Sequence, residues 1–156
     1  MKSKLQNRLE SGLSAITAEI MPPRGGNTAL ALSKAFKLKD LVHAFNVTDG
    51  SRAIMRMSSL ALCKLLLEAN LEPVLQLSCR DRNRIALQAE LLGAHALGIK
   101  NILCLTGDPV RVGDQSQAKS VQDFNSIELI NQVTSQSQSQ PNNNINREEE
   151  KKKKKK

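Results

Sequence analysis

Residues 73–79 (PVLQLSC), 83–97 (NRIALQAELLGAHAL) and 101–105 (NILCL) decide the fold. The first and third are short apolar runs, of strand rather than helix length. The second places Ile85, Leu87, Leu91, Leu92 and Leu97 on an apolar helical face, with Gly98 just past its end. The last run stops at Thr106–Gly107–Asp108–Pro109, a turn sequence. Strand, helix, strand with a crossover of this length predicts parallel pairing. Both strands are continuously apolar instead of alternating, which predicts cover on both faces.

The same unit repeats outward from this core. Residues 51–70 read as one long helix, with Ile54, Met57, Leu60, Ala61, Lys64 and Leu67 on the 3.6-residue period and Ser51 as its N-cap. Before it, residues 42–47 (VHAFNV) form a strand stopped by Asp49–Gly50, and residues 28–38 have helical spacing. Residues 14–20 (SAITAEI) are a β-rich run closed by Pro22–Pro23–Arg24–Gly25–Gly26, with an amphipathic helix in front of them. Beyond Pro109 come a loop and a helix around 124–132. The pattern is β-α four times over. It fits a doubly wound sheet or part of a (β/α) barrel.

Composition bounds the rest. A chain of 156 residues with 40% hydrophobic residues has enough apolar surface for one core. No apolar run reaches the length of a membrane span, and no long apolar leader segment opens the chain. The formal net charge is +8, but residues 147–156 (REEEKKKKKK) hold seven cations and three anions. That leaves +4 for the other 146 residues, an ordinary balance that does not call for nucleic acid. Composition changes near Gln132 to Ser, Gln and Asn repeats, which bury too little apolar area to order themselves. The expected division is therefore a folded part at 1–131 and a disordered polar tail at 132–156. Cys63, Cys79 and Cys104 are odd in number and lie in apolar segments, as reduced cytoplasmic thiols do. His43 and His95 have no partners at metal-ligand spacing, so no metal site is expected. Neither GxGxxG after the first strand nor GxxxxGK[ST] is present.

Ligands of parallel α/β folds bind at the carboxyl ends of strands. Four strands deliver polar groups there: Glu19; Asn46, Thr48 and Asp49; Gln76 and Ser78; Thr106, Gly107 and Asp108. Glu19 lies in an apolar strand, where burial would favour the protonated form and make it a proton donor. Asp108 follows a glycine, where a ligand can come close. The plainer alternatives pair Glu19 with Arg24 and make Asp108 a turn cap. Arg52, Arg80, Arg82 and Arg84 either meet an anionic cofactor or form a solvated helix start.

The stretches TAEIMPPRGGN (17–27) and FNVTDGSRA (45–53), with the SCRDRN (78–83) and LTGDP (105–109) signatures, keep their order and spacing across roughly residues 13–131. In these motifs the chain strongly resembles the methylenetetrahydrofolate reductase family. The resemblance implies a flavin-dependent TIM barrel. It implies FAD as cofactor, NAD(P)H as co-substrate, and reduction of 5,10-methylenetetrahydrofolate to 5-methyltetrahydrofolate for methionine synthesis. It implies that Glu19 is the acid at the folate's leaving nitrogen. Asp108 then touches flavin and pterin and favours the iminium cation. Thr48, Asp49 and Ser51 line the flavin after the second strand, Gln76 faces it from the third, and Thr106 and Gly107 complete the fourth turn.

Many relatives carry an aromatic residue at Asp49, His at Gln76, Arg at Thr106 and an aromatic at Gln122. A full barrel takes about 250 residues, so the expectation is a partial barrel of about four β-α units. Its first and fourth strands would be open edges, and two halves could pair as a homo-oligomer. A truncated, inactive remnant, or an interaction module with a polybasic tail, are the competing readings.

Overall fold

The computed structural model describes residues 2–138. Helix α1 (Lys4–Glu10) precedes four strands, β1 (Thr17–Ile20), β2 (Ala44–Val47), β3 (Pro73–Ser78) and β4 (Asn101–Leu105). Helices α2 (Ala29–Leu38), α3 (Ser59–Glu68), α4 (Arg84–Ala96) and α5 (Ser126–Gln138) follow the strands in turn. Single 3₁₀ turns occupy Ser51–Ala53 and Val110–Val112. Helix α5 carries helical structure across the composition change at 132, while the Asn-rich and polylysine segments lie outside the described residues.

All three strand pairings are parallel, and the order is β1-β2-β3-β4. A doubly wound sheet reverses direction at a switch point. This sheet has none, so the four units are arranged as consecutive units of a (β/α) barrel are. Crossovers of one hand that advance in one direction place every helix on the same face. The packing agrees. Ile20, Phe45, Val47 and Leu75 share a core with Ala31, Ala35, Leu62, Leu66 and Ala94. Leu77 and Cys79 continue it against Leu87, Leu91 and Leu129. Burying each of these leucines contributes roughly 1.5–3 kcal/mol.

The opposite face corrects one expectation. The strands look apolar throughout, yet the face away from the helices is covered only in part: Ala44, Val74 and Ser78 are buried there, while Glu19 and Leu103 are exposed. Along β1 and β2 the other face bears Thr17, Glu19 and Asn46, and along β3 and β4 it bears Val74, Gln76 and Leu103. Leu103 is 42% exposed. Four strands do not close a barrel, so β1 and β4 are edges and the inner face is open.

A second correction concerns residues 51–70. The helix begins at Ser59 with Ser58 at its N-cap, so Ser51 caps nothing. The reason is local geometry. Gly50, Arg52 and Ala53 have φ of 57°, 59° and 54°, the left-handed region that an α-helix excludes. Ile54 and Met57 happen to fall on the helical period, but they are half-buried in a loop.

At the amino ends of the strands, α1 is fastened by a polar network. Ser3 caps the helix by accepting from Gln6 N (2.9 Å) and donates to Asn101 Oδ1 (2.8 Å). Asn101 Nδ2 donates to Glu72 Oε1 at 3.0 Å. The Glu72 carboxylate accepts from Lys4 N (2.6 Å) and Leu5 N (2.8 Å), a negative charge placed where the helix dipole favours it.

Candidate active site

The carboxyl ends of the strands meet in a rim of four loops. Residues 50–57, between β2 and α3, lie at its centre, and each other loop holds them. From the β1 loop, Pro23 O accepts from Met57 N (2.9 Å) and Pro22 O from Arg56 Nη1 (3.0 Å). From the β3 loop, Arg80 Nη1 donates to Gly50 O at 3.0 Å. From the β4 loop, Asp108 accepts from Arg52 N (2.7 Å) and Asp114 from Met55 N (2.8 Å). Gly113 sits so close to this segment that an added Cβ would lie 1.9 Å from Ala53 O. Two adjacent non-glycine residues, Arg52 and Ala53, are thus held in left-handed conformation, at a cost of order 1–3 kcal/mol each.

Two carboxylates expected at one site sit in different settings. Glu19 is exposed on the edge strand and makes no hydrogen bond or ion pair with any described residue. The burial expected from its apolar strand is absent, because its side of the sheet is covered only in part. Nor does it pair with Arg24, whose Nη2 reaches Asp114 at 2.7 Å. Asp108 is exposed and accepts from the neighbouring loop at Arg52. No described hydrogen bond joins Glu19 to Asp108.

The remaining candidates divide by whether their polar atoms are engaged. Thr48 is 1% exposed, and its hydroxyl has no partner among the described residues. Gln76 is half-buried on the open face, since Leu75 and Leu77 turn to the helices. Ser51 lies in the strained turn. Asp49, by contrast, accepts from Ser78 N (2.8 Å) and pairs with Arg82 at 2.6 Å, with side-chain exposures of only 8% and 19%. Burial opposes the Arg82 charge, but the bond and charge of Asp49 outweigh it and raise the Arg82 pKa. Thr106 Oγ1 donates to Ser126 Oγ (3.2 Å) and accepts from Ser126 N (3.2 Å). Gly107 has φ 93°, and a Cβ there would lie 2.1 Å from Ser78 Oγ, so the β3 end fills the space beside it.

The arginines of 80–84 are neither free for an anion nor simply solvated. Arg80 pairs with Asp81, Arg82 with Asp49, and Arg84 with Asp123 while lying 4.9 Å from the Phe124 ring centroid. Hydrogen bonds from Arg84 hold Asp123 down to about 2. The thiols are poor nucleophiles: burial pushes Cys63 up to about 12 and also raises Cys79 and Cys104. His43 Nδ1 accepts from Ile16 N (3.0 Å), a link between backbone segments. Among the described residues no three His, Cys, Asp or Glu side chains group as a metal site, and no helix is long and apolar enough to cross a membrane.

A family model described as methylenetetrahydrofolate reductase matches residues 4–142. The chain belongs to the methylenetetrahydrofolate reductase family. Membership makes this an oxidoreductase fold of a generally flavin-dependent family. A flavin ring carries several hydrogen-bond donors and acceptors, which groups at the carboxyl ends of the strands would have to meet. Thr48 fits that need best, because a buried hydroxyl without a partner is rare and costs stability unless a ligand or water satisfies it. Gln76 and Asp108 add an accessible amide and an accessible carboxylate. Asp49 and Thr106 are engaged by partners within the protein, and Gly107 lies against the β3 end.

Sequence reading missed Asp114, which touches two loops at once. Its only local signal is a second acid six residues after Asp108, across Gly113.

Proposed function

We propose that the chain carries the amino-terminal half of a site that reduces 5,10-methylenetetrahydrofolate to 5-methyltetrahydrofolate, with FAD as cofactor and NAD(P)H as co-substrate. The Thr48 hydroxyl after β2, without a partner among the described residues, carries the reading, with Gln76 on the open face of β3 and Asp108 in the β4 loop. Thr48, Gln76, Asp108 and the Ser51 turn would hold the flavin, and Asp49 supports them through Ser78 and Arg82. The chemistry the flavin supplies when bound is hydride transfer from NAD(P)H to the folate.

The residues of the chain do the rest. The folate's five-membered ring must open at a nitrogen that leaves with a proton, and Glu19 is the acid placed to give it. Its carboxyl group is unpartnered and open to a substrate. The substrate supplies the desolvation that the open face lacks. Asp108 offers a fixed negative charge where the ring-opened folate carries positive charge. Three unpaired thiols suit a reducing, cytoplasmic setting.

The open edges extend the reading to self-association. Neither TAEI nor NILCL carries the Lys or Pro that blunts exposed edges, and β4 of one copy can pair in parallel with β1 of another. A concentration-independent monomer on size-exclusion chromatography would count against that pairing.

The test of the function is to refold the chain with FAD and titrate it by absorbance and flavin fluorescence. A bound yellow flavin that NADH or NADPH bleaches is the expected result. A chain that remains colourless with excess FAD would sink the proposal. The spectrum is clean, because the protein has no Trp or Tyr.

A further inference from the structure

The loops that follow β1 and β4 belong to opposite edges of the sheet, three strand spacings apart. They nevertheless touch. Arg24 Nη2 of the β1 loop pairs with Asp114 Oδ2 of the β4 loop at 2.7 Å, and the other oxygen of Asp114 accepts from Met55 N of the β2 loop at 2.8 Å. One carboxylate therefore ties three of the four rim loops together. Six residues before it in the same loop, Asp108 accepts from Arg52 N. Between the two contacts, Ala53 lies against Gly113 with no room for a Cβ. Two acids of one loop thus grip the left-handed segment at two amides three residues apart, and Arg24 anchors that grip to the far edge.

We propose that Asp114 is a positioning residue of the flavin site described above. It braces the rim so that the Arg52–Ala53 turn stays against Asp108 and so that the ends of β1 and β4, which bear Glu19 and Asp108, face one ligand. The inference rests on the functional reading for its ligand. Its mechanical half stands without any ligand. Left-handed non-glycine residues persist only where surrounding contacts over-determine them. Asp114 supplies one such contact to the backbone and one to the opposite edge. Releasing it lets the turn relax, and the Arg52 amide leaves Asp108.

The experiment is amide hydrogen exchange on the full chain and on Asp114→Ala, with FAD titrations of the same proteins and of Asp108→Ala with and without Asp114→Ala. Loss of protection at Met55 is expected from the missing acceptor alone. Loss at Arg52 as well, whose acceptor is Asp108 and not Asp114, is the sign of positioning. FAD affinity should fall about tenfold in Asp114→Ala, with no further fall when it is added to Asp108→Ala. Arg52 protection unchanged in Asp114→Ala would overturn the proposal, as would an equal, additive loss of affinity in the Asp108→Ala background. Should Asp114→Ala unfold, Asp114→Asn keeps an acceptor for Met55 while weakening the Arg24 pair, and the same readouts decide. Absent FAD binding by the unsubstituted chain would defeat the functional reading, whereas the Arg52 amide would still report on the brace.

Discussion

The two ends of the sheet use the same device for different purposes. At the amino end, Glu72 accepts two backbone N–H groups and starts α1, a helix in ordinary geometry. At the carboxyl end, Asp108 and Asp114 also accept backbone N–H groups, but they hold residues in a conformation those residues disfavour. At the foot, carboxylates satisfy donors that a helix always leaves free. At the rim, they maintain strain, and the nearby strand end holds a Thr48 hydroxyl without a partner among the described residues. A barrel scaffold separates stability at one end from ligand chemistry at the other. The contrast between the two ends is of that kind already within four strands, in ordinary helix capping at one end and a strained turn at the other.

Substitutions should break the contrast in graded ways. The largest effect is expected from Asp49→Ala, which removes the acceptor of Ser78 N and leaves the nearly buried Arg82 guanidinium with only Asp81 and Ser78 O. Urea denaturation should show a loss of about 3 kcal/mol. At the foot, Glu72→Ala removes the acceptor for Lys4 N, Leu5 N and Asn101 Nδ2. It should lower stability by about 2 kcal/mol. FAD affinity should not change, and a change would erase the distinction between the two ends. Asp108→Asn should do the reverse: stability within about 1 kcal/mol of the parent, and flavin affinity down at least about tenfold.

The smallest effect concerns Asp123, whose carboxyl is held down to about 2 from 3.8 by Arg84. A depressed acid stabilises the fold above its free value, and that contribution fades as pH falls from 3.8 toward 2. Carboxyl NMR should find its midpoint near 2, and Arg84→Met should return it close to 3.8.

Much of the fold was legible because the relevant forces are local. The β4 run at 101–105 and the helix over 83–97 announced themselves through apolar spacing and Gly98 past the helix end; the Asn83 N-cap is seen only in the structure. The loop at 51–58 was misread as helix because Ile54 and Met57 keep the period. What breaks the helix is the left-handed turn, fixed by Asp108 and Gly113 more than fifty residues away. The same distance hid the site's wiring. Asp49 stood out as a polar residue at a strand end, but its engagement by Arg82 depends on tertiary pairing across 33 residues. Glu19 was placed on the right strand, and its exposure followed from the missing cover over that face. Asp114 carried no local signature, since its two partners come from two other loops.

The strand register has a consequence for how the chain assembles. Thr17 pairs with Ala44, Phe45 with Pro73, and Val74 with Asn101, offsets of 27, 28 and 27 residues. Each strand docks on the one made just before it, so every pairing closes a loop of nearly the same modest length. Such closures cost little more than one another, and low contact order favours fast folding. The sheet can therefore grow strand by strand as the chain leaves the ribosome. At each stage its newest edge is the one still seeking a partner.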